Sequence, residues 1–236
     1  MTSELETSEL ETFEIDHLFV WSQIDAPEAS YLIDAGLSEG PANVHPGQGT
    51  ANRRFFFANA MLELLWVQDD AEARSALVHP LRLWERWQRQ GQRASPFGIA
   101  FRPAGPKPEH KPFPGFPYTP GYLPAPLSIW IGENAADIAE PLTFYLDFAN
   151  SQAAKSLAVQ PDAQIVTHPI GVQSVTAVSI YTPQTTLSET LQTAVSQVKA
   201  LQFLPSEQPC LEIEFDQAQQ GQSVDFMPHL PLKLRW

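Results

Sequence analysis

The stretch at residues 43–67, N-V-H-P-G-Q-G-T-A-N-R-R-F-F-F-A-N-A-M-L-E-L-L-W-V, joins a glycine-rich polar turn to two apolar runs and places one carboxylate, Glu63, inside the second. The runs at 53–58 and 60–67 flank a single Asn59, a spacing that predicts adjacent antiparallel strands joined by a tight turn. Strand side chains alternate, so Met61, Glu63, Leu65 and Val67 share one face while Leu62, Leu64 and Trp66 share the other. Both faces are apolar, and both are expected to be covered. A charge on such a strand is costly unless it is paired, protonated or metal-bound, so something is expected to meet Glu63.

Upstream, F-E-I-D-H-L-F-V-W at 13–21 alternates as a strand, with Phe13, Ile15, His17, Phe19 and Trp21 on one face. His17 thus sits among apolar neighbours. Asp25 before Ala26-Pro27-Glu28 reads as a helix cap, and the helix is expected to run to about Ala35 and stop at Gly36. Downstream, L-R-L-W-E-R-W-Q-R-Q-G after Pro80 predicts an amphipathic connecting helix ending at Gly91. Its Leu81, Trp84 and Trp87 or Gln88 would be packed, and its Arg82, Arg86 and Arg89 would lie on a solvated side.

Residues 95–102 form another strand candidate, and then the composition changes. Nine prolines fall between Pro103 and Pro126, interleaved with Phe113, Phe116, Tyr118 and Tyr122. Proline removes amide donors and fixes φ, which excludes a helix or a sheet interior and predicts a long irregular loop: a lid, a binding loop or an intermolecular arm. Short strands are expected at 127–132 and 142–148. The turn H-P-I-G at 168–171 feeds an alternating strand that ends near Pro183, a helix follows from about Ser188 to Leu201, and C-L-E-I-E-F-D and the closing segment read as two more strands. Strand, helix, strand, strand therefore recurs at the C-terminal end.

The chain has 236 residues, 43% of them hydrophobic, which supports a packed globular protein. Its formal charge is -13, with 14 basic against 27 acidic residues, a balance that argues against nucleic acid as a partner. No apolar run approaches the roughly 20 residues of a membrane span. A lone Cys210, read as a small buried hydrophobe, excludes an internal disulfide framework. With no signal-peptide pattern, the cytoplasm is the expected location. T-S-E-L-E occurs twice within residues 2–11, and the segment 1–12 reads as a solvated acidic leader.

His17 and Glu63 are the leading candidates for chemistry. An imidazole and a carboxylate from separate strands begin a divalent metal site, with His168, Glu212, Glu214 and His229 as completions among which spacing does not choose. The other reading is a core histidine hydrogen-bonded to a buried carboxylate. In the turn H-P-G-Q-G-T-A-N-R, the residues His45, Gln48, Asn52 and Arg53 are candidates to contact substrate, or else they satisfy the turn's own backbone. There is no H-E-x-x-H or C-x-x-C motif.

The order of the I-D-H-L-F-V strand, a helix, H-P-G-Q-G-T-A-N-R-R and M-L-E-L-L-W-V resembles the glyoxalase-like branch of the vicinal oxygen chelate superfamily over residues 13–68. The resemblance implies an α+β fold of paired βαβββ modules with curled mixed sheets, the second half elaborated by a long proline-rich loop. The expected organisation is the leader (1–12), a first module (13–68), a connecting helix (69–94) and a divergent second half (95–236) that contains the loop (103–126). It also implies a divalent metal ion with His17 and Glu63 as ligands. Aligning S-P-F-G-I-A-F with the first strand of the second module puts Gly98 where a further ligand belongs, whereas starting that module at Val175 puts Glu212 near one and makes it the third ligand. The implied function is a metal-dependent lyase or isomerase that stabilises an enediolate of a small oxygenated substrate, with His45, Gln48, Asn52 and Arg53 orienting that substrate and the base unnamed. The alternative is a non-catalytic, sequestering small-molecule-binding protein with Phe19, Trp21, Phe55 and Phe57 around its pocket. A third reading makes the proline-rich loop a contact surface of a scaffold protein. The partner expected is a small molecule, and a homodimer is an assembly open to the fold.

Overall fold

The computed structural model describes residues 12–88, 93–149 and 167–236. The acidic leader, apart from Thr12, lies outside the described residues, as do Arg89 and the end of the connecting helix at Gly91.

An eight-stranded sheet carries the N-terminal two thirds of the described chain. Its first four strands are β1 (Phe13–Trp21), β2 (Gly40–His45), β3 (Thr50–Phe56) and β4 (Met61–Val67), with the helix α1 (Ala29–Asp34) between β1 and β2. β1 pairs parallel with β4, β4 antiparallel with β3, and β3 antiparallel with β2. This is a βαβββ module, and the predicted strand pair around Asn59 is present in it as β3 and β4. The next four strands, β5 (Phe97–Pro103), β6 (Gly115–Tyr118), β7 (Ile129–Gly132) and β8 (Leu142–Tyr145), repeat the pairing, with β5 parallel to β8 and β7 between β8 and β6. The modules join through antiparallel β1 and β5, giving the order β2-β3-β4-β1-β5-β8-β7-β6.

The second module has no helix in the position of α1. Its β5–β6 connection and β6 come from the proline-rich segment, so the expected irregular loop contains a short strand. That strand lies at the sheet edge, where Pro117, which has no amide hydrogen to donate, faces Trp130.

A second sheet of five strands comprises β9 (Val175–Thr182), β10 (Leu201–Pro205), β11 (Cys210–Phe215), β12 (Ser223–Asp225) and β13 (Leu232–Arg235), in the order β10-β9-β11-β13-β12. Ser188 caps its helix α4 (Glu189–Gln197), accepting from the Leu191 amide at 3.4 Å. The centre of this sheet repeats the centre of the first, because an antiparallel pair (β9 with β11) is flanked on each side by a parallel neighbour (β10 and β13). One core joins the two sheets: Leu18, Val20, Phe55, Leu62 and Leu64 pack with Val178, Ile180, Leu211, Ile213 and Leu234. Leu32 of α1 belongs to the same core. The opposite face of the first sheet carries Phe19, Trp21, Leu65, Val67, Ile129, Ile131 and Leu142 in a separate cluster.

Three local expectations are corrected. First, β1 does not keep a single alternation. A bulge between Ile15 and His17 shifts the register against β5, so Phe13 and Ile15 join the inter-sheet core while His17, Phe19 and Trp21 turn to the other face. Second, Asp25 is not a helix cap. Asp25 and Ala26 occupy the left-handed region at φ 64° and 42°, and α1 begins only at Ala29. Its predicted stop does hold, since Gly36 at φ 95° ends it where a side chain would strike Ile170.

Third, the connecting helix does not run unbroken from Pro80. After a short α2 (Asp70–Ala73), Arg82, at φ 55°, breaks it from the preceding turn, and α3 covers Leu83–Gln88. Arg86, expected on a solvated side, is fully buried and donates to the carbonyls of Ala135, Asp137 and Glu140. Burial pushes its pKa down to about 10, opposed by the charges of Asp137 and Glu140. An interior cation is tolerated here because carbonyl oxygens replace its water.

Candidate functional site

The outer face of the first sheet borders a cavity of about 480 Å³, whose walls come from both modules and from the proline-rich segment. From the first module come Asp16 and His17 on β1, His45 on β2, Arg54 on β3 and Glu63 on β4. The bulge makes this set. By inserting one residue it lets two consecutive positions, Asp16 and His17, both line the cavity. Asp16 Oδ1 lies 2.6 Å from His17 Nδ1, and Asp16 Oδ2 accepts from Arg102 at 3.2 Å. His17 is thereby held through one ring nitrogen, leaving Nε2 free of any protein hydrogen bond among the described residues.

Glu63 is 7% exposed and His17 9%, and they face the same space. Their charges interact, yet no hydrogen bond or ion pair joins Glu63 to any described residue. Arg54, directly across from Glu63 in the β3–β4 register, instead donates to the carbonyls of Pro41 and Ala42 at 2.6 and 3.3 Å and stands over the Phe56 ring. A nearly buried carboxylate therefore stands ringed by positive groups but without a hydrogen-bond donor. That is the state of a group that meets a ligand.

The two histidines are shifted in opposite directions. Burial alone would lower the His17 pKa, but the charge of Glu63 and the bond and charge of Asp16 outweigh it and hold the imidazole above its ordinary value. His45 lies below its ordinary value, because burial, helped by the charges of His17 and Arg54, outweighs Glu63. Both nitrogens of His45 are engaged, Nδ1 with Thr50 Oγ1 at 2.9 Å and Nε2 with Asn43 Nδ2 at 3.2 Å.

The second module supplies the apolar wall through Leu142 and Phe144 of β8 and Ile129 and Ile131 of β7. Tyr118 and Tyr122 cover the cavity from the proline-rich segment. The Tyr122 hydroxyl donates to Gln48 Oε1 at 3.2 Å and its ring lies 5.1 Å from that of His45, so the segment is fastened to the first module. The Tyr118 hydroxyl is buried with no partner among the described residues, and burial pushes its pKa up to about 12.

Of the residues singled out in the sequence, His17, Glu63, His45 and Gln48 meet around this cavity. Asn52 is fully buried and not among the lining residues, its Oδ1 accepting from the Asn43 amide at 3.0 Å. Arg53 points to the opposite side of β3, where it donates to Glu39 Oε1 at 2.6 Å and to the Ala26 carbonyl at 3.1 Å. Its neighbour Arg54 takes the cavity side, as the strand alternation requires. Glu212 lies on β11 of the other sheet, 3.9 Å from Arg235, and does not approach His17 or Glu63. Of the aromatics proposed for a pocket, Phe19 and Phe57 line this one, Phe55 packs between the sheets, and Trp21 lines a second cavity. Sequence reasoning missed Asp16, Arg54, Tyr118 and Tyr122. The consecutive polar pair Asp16-His17 inside an apolar strand was the available signal for a bulge.

A family model described as a glyoxalase-like domain matches residues 15–196. The chain belongs to this family, within the vicinal oxygen chelate superfamily. Among solved structures, a crystal structure of a hypothetical protein from Staphylococcus aureus is similar at 12% identity and a TM-score of 0.53, over 94% of this chain and 98% of that one. That likeness concerns the fold. No functionally curated protein matches the sequence.

Whether this glyoxalase-like domain suits a divalent ion depends on its donors. The resemblance implies a ligand pair from each module. Taking Gly98 as the counterpart of His17 makes Phe144 the counterpart of Glu63, because β1–β4 and β5–β8 run in the same register. Neither Gly98 nor Phe144 can ligate a metal, and a side chain at 98 would overlap the Phe19 ring. Among the described residues no group of three His, Cys, Asp or Glu side chains converges as a metal site would need. The donor set does not fit a resident divalent ion. Among the described residues no helix is long and apolar enough to cross a membrane.

Proposed function

We propose that this glyoxalase-like domain is a metal-independent binder of an amphipathic small molecule. The observation that carries the proposal is the division of the cavity wall. Asp16, His17 and a Glu63 without a hydrogen bond among the described residues lie on one side, while the second module brings Leu142, Ile129, Ile131 and Phe144, the last standing where a ligand would otherwise be. A ligand with a hydrogen-bond donor at its polar end satisfies Glu63, and its apolar body is buried against β7 and β8, a combination common to small-molecule sites. The test is titration with 1-naphthol, a neutral aromatic alcohol, before and after exhaustive chelation. Binding is expected to be unchanged by chelation and roughly tenfold weaker in Glu63→Gln, the size of one charge-assisted hydrogen bond. A stoichiometric ion that chelation removes together with binding would refute the proposal.

A second reading, an enzyme of the lyase or isomerase kind on a small oxygenated substrate, draws on the Asp16–His17 pair. An imidazole oriented by a carboxylate through Nδ1 and open at Nε2 is equipped to give or take a proton, and Glu63 faces the same space. Hydrogen–deuterium exchange at the α-carbon of dihydroxyacetone, followed by NMR, discriminates between the readings. Exchange accelerated by the native protein and abolished in His17→Gln supports catalysis; none above the buffer rate leaves the binder.

A further inference from the structure

The cavity on the outer face of the first sheet has an open end and a closed one. At the open end its wall includes the exposed Ala58 and Asn59 of the β3–β4 turn and the half-buried Met61, Phe148 and Ala149. At the other end stand three leucines, Leu65, Leu81 and Leu83, all buried and all in the apolar cluster of that face. Glu63 lies between the two. Along β4 it stands one strand period beyond Met61 and one before Leu65, about 7 Å from each. Leu81 and Leu83 share the wall because of the break between them. Residues two apart in an unbroken helix do not face the same way, whereas Arg82 at φ 55° turns the chain so that both reach the cavity, with α3 packed on β4. The rings are placed differently. Phe19 is the register partner of Glu63, and Phe144 lies beside it with ring centroids 6.3 Å apart, so aromatic side chains stand near the level of the carboxylate and aliphatic ones close the end beyond it. The space is also larger than a polar head requires. At about 30 Å³ for each water-sized group, a cavity of about 480 Å³ holds roughly sixteen.

We infer that the occupant of this cavity is a phenol with an unbranched alkyl tail, its hydroxyl donating to Glu63, its ring beside Phe19 and Phe144, and its tail against Leu65, Leu81 and Leu83. This rests on the binding proposed above and adds to it the shape of the apolar part. The leucines offer the tail aliphatic contacts, and each methylene withdrawn from water there strengthens binding about fourfold. A closed end also makes them a ruler. The gain stops when the tail meets Leu81 and Leu83, and Leu83 thereby sets the length of chain that the protein prefers.

The experiment titrates the full-length protein, after exhaustive chelation, with 4-methyl-, 4-propyl-, 4-pentyl- and 4-heptylphenol, followed through the amide spectrum by NMR. Affinity is expected to rise about fourfold with each added methylene and then to level off. Leu83→Phe is expected to bring the plateau to a shorter tail and Leu83→Ala to a longer one. 4-Methylphenol, too short to reach residue 83, is expected to bind both variants as it binds the native protein, which reports an intact fold and an intact site at Glu63. An affinity independent of tail length overturns the inference, and so does a plateau that neither Leu83 variant moves. In either case 4-methylphenol that still binds, and binds more weakly to Glu63→Gln, leaves the binding proposed above standing. Failure of 4-methylphenol itself to bind overturns both.

Discussion

The two halves of the eight-stranded sheet have one backbone plan and two chemistries. β1–β4 and β5–β8 share strand order, pairing sense and register. On the cavity side the first presents Asp16, His17, Arg54 and Glu63, and the second presents Leu142, Ile131 and Phe144 with one charge, Arg102, which is paired with Asp16. Pairing is fixed by backbone hydrogen bonds and by which face is buried, so positions on the cavity face can change character without disturbing the sheet. The halves also differ in support. Leu32 of α1 packs against the first, whereas the second has no helix there, and its β7–β8 connection is held by the Arg86 guanidinium.

That difference in support predicts the largest effect. Arg86→Met orphans the carbonyls of Ala135, Asp137 and Glu140, and is expected to cost about 3–5 kcal/mol in urea unfolding. Hydrogen exchange should rise first over residues 133–145 and leave β3 and β4 protected. A uniform loss of protection would show that the second half does not depend on this prop in particular. Making the halves chemically alike is the next test. Gly98→His sets a side chain against the Phe19 ring and is expected to destabilise by about 2 kcal/mol. Adding Phe19→Ala should recover part of what the two single changes lose separately, because the two positions share one space. Simple additivity would mean that packing against Phe19 is not what closes the second half.

Smaller effects fall within the polar half. Glu63→Gln removes a nearly buried charge that has no hydrogen bond, and is expected to stabilise the protein by about 1 kcal/mol while weakening 1-naphthol. A loss of stability instead would mean that Glu63 is paired within the fold. The smallest effect is electrostatic. His17 should titrate above the ordinary histidine value in an NMR pH series, and Asp16→Asn should bring it down. Because the folded pKa is the higher one, the stability this charge contributes is complete below the unfolded pKa and disappears as pH rises through the folded pKa. An unchanged His17 titration in Asp16→Asn would remove Asp16 as the cause.

The first half was legible because it is locally consistent. Residues 61–67 are apolar on both strand faces, Asn59 marks the turn between two runs, and Glu63 announces itself as the one charge in an apolar strand. The bulge at Asp16 had only the consecutive polar pair Asp16-His17 to mark it, since F-E-I-D-H-L-F-V-W also satisfies a plain alternation and pairing with β5 fixes the extra residue. Strand parity alone would have separated Arg54 from Arg53, had the register to Glu63 been followed through. The second half was obscured by its prolines. β6 owes its place to a partner strand and a free edge, neither of which proline content encodes. Arg86 misled for a related reason. Helical spacing shows which residues share a side, but not that three carbonyls of a distant turn will cover that side.

The fastening of Tyr122 to Gln48 and His45 has a kinetic consequence. A ligand of the proposed site that passes this side chain leaves once that hydrogen bond and ring contact are released, so residence time is expected to depend on the loop as well as on the contacts made inside. Tyr122→Phe then shortens occupancy without altering the polar groups that choose the occupant, and selectivity and dwell time become separately adjustable properties of one protein.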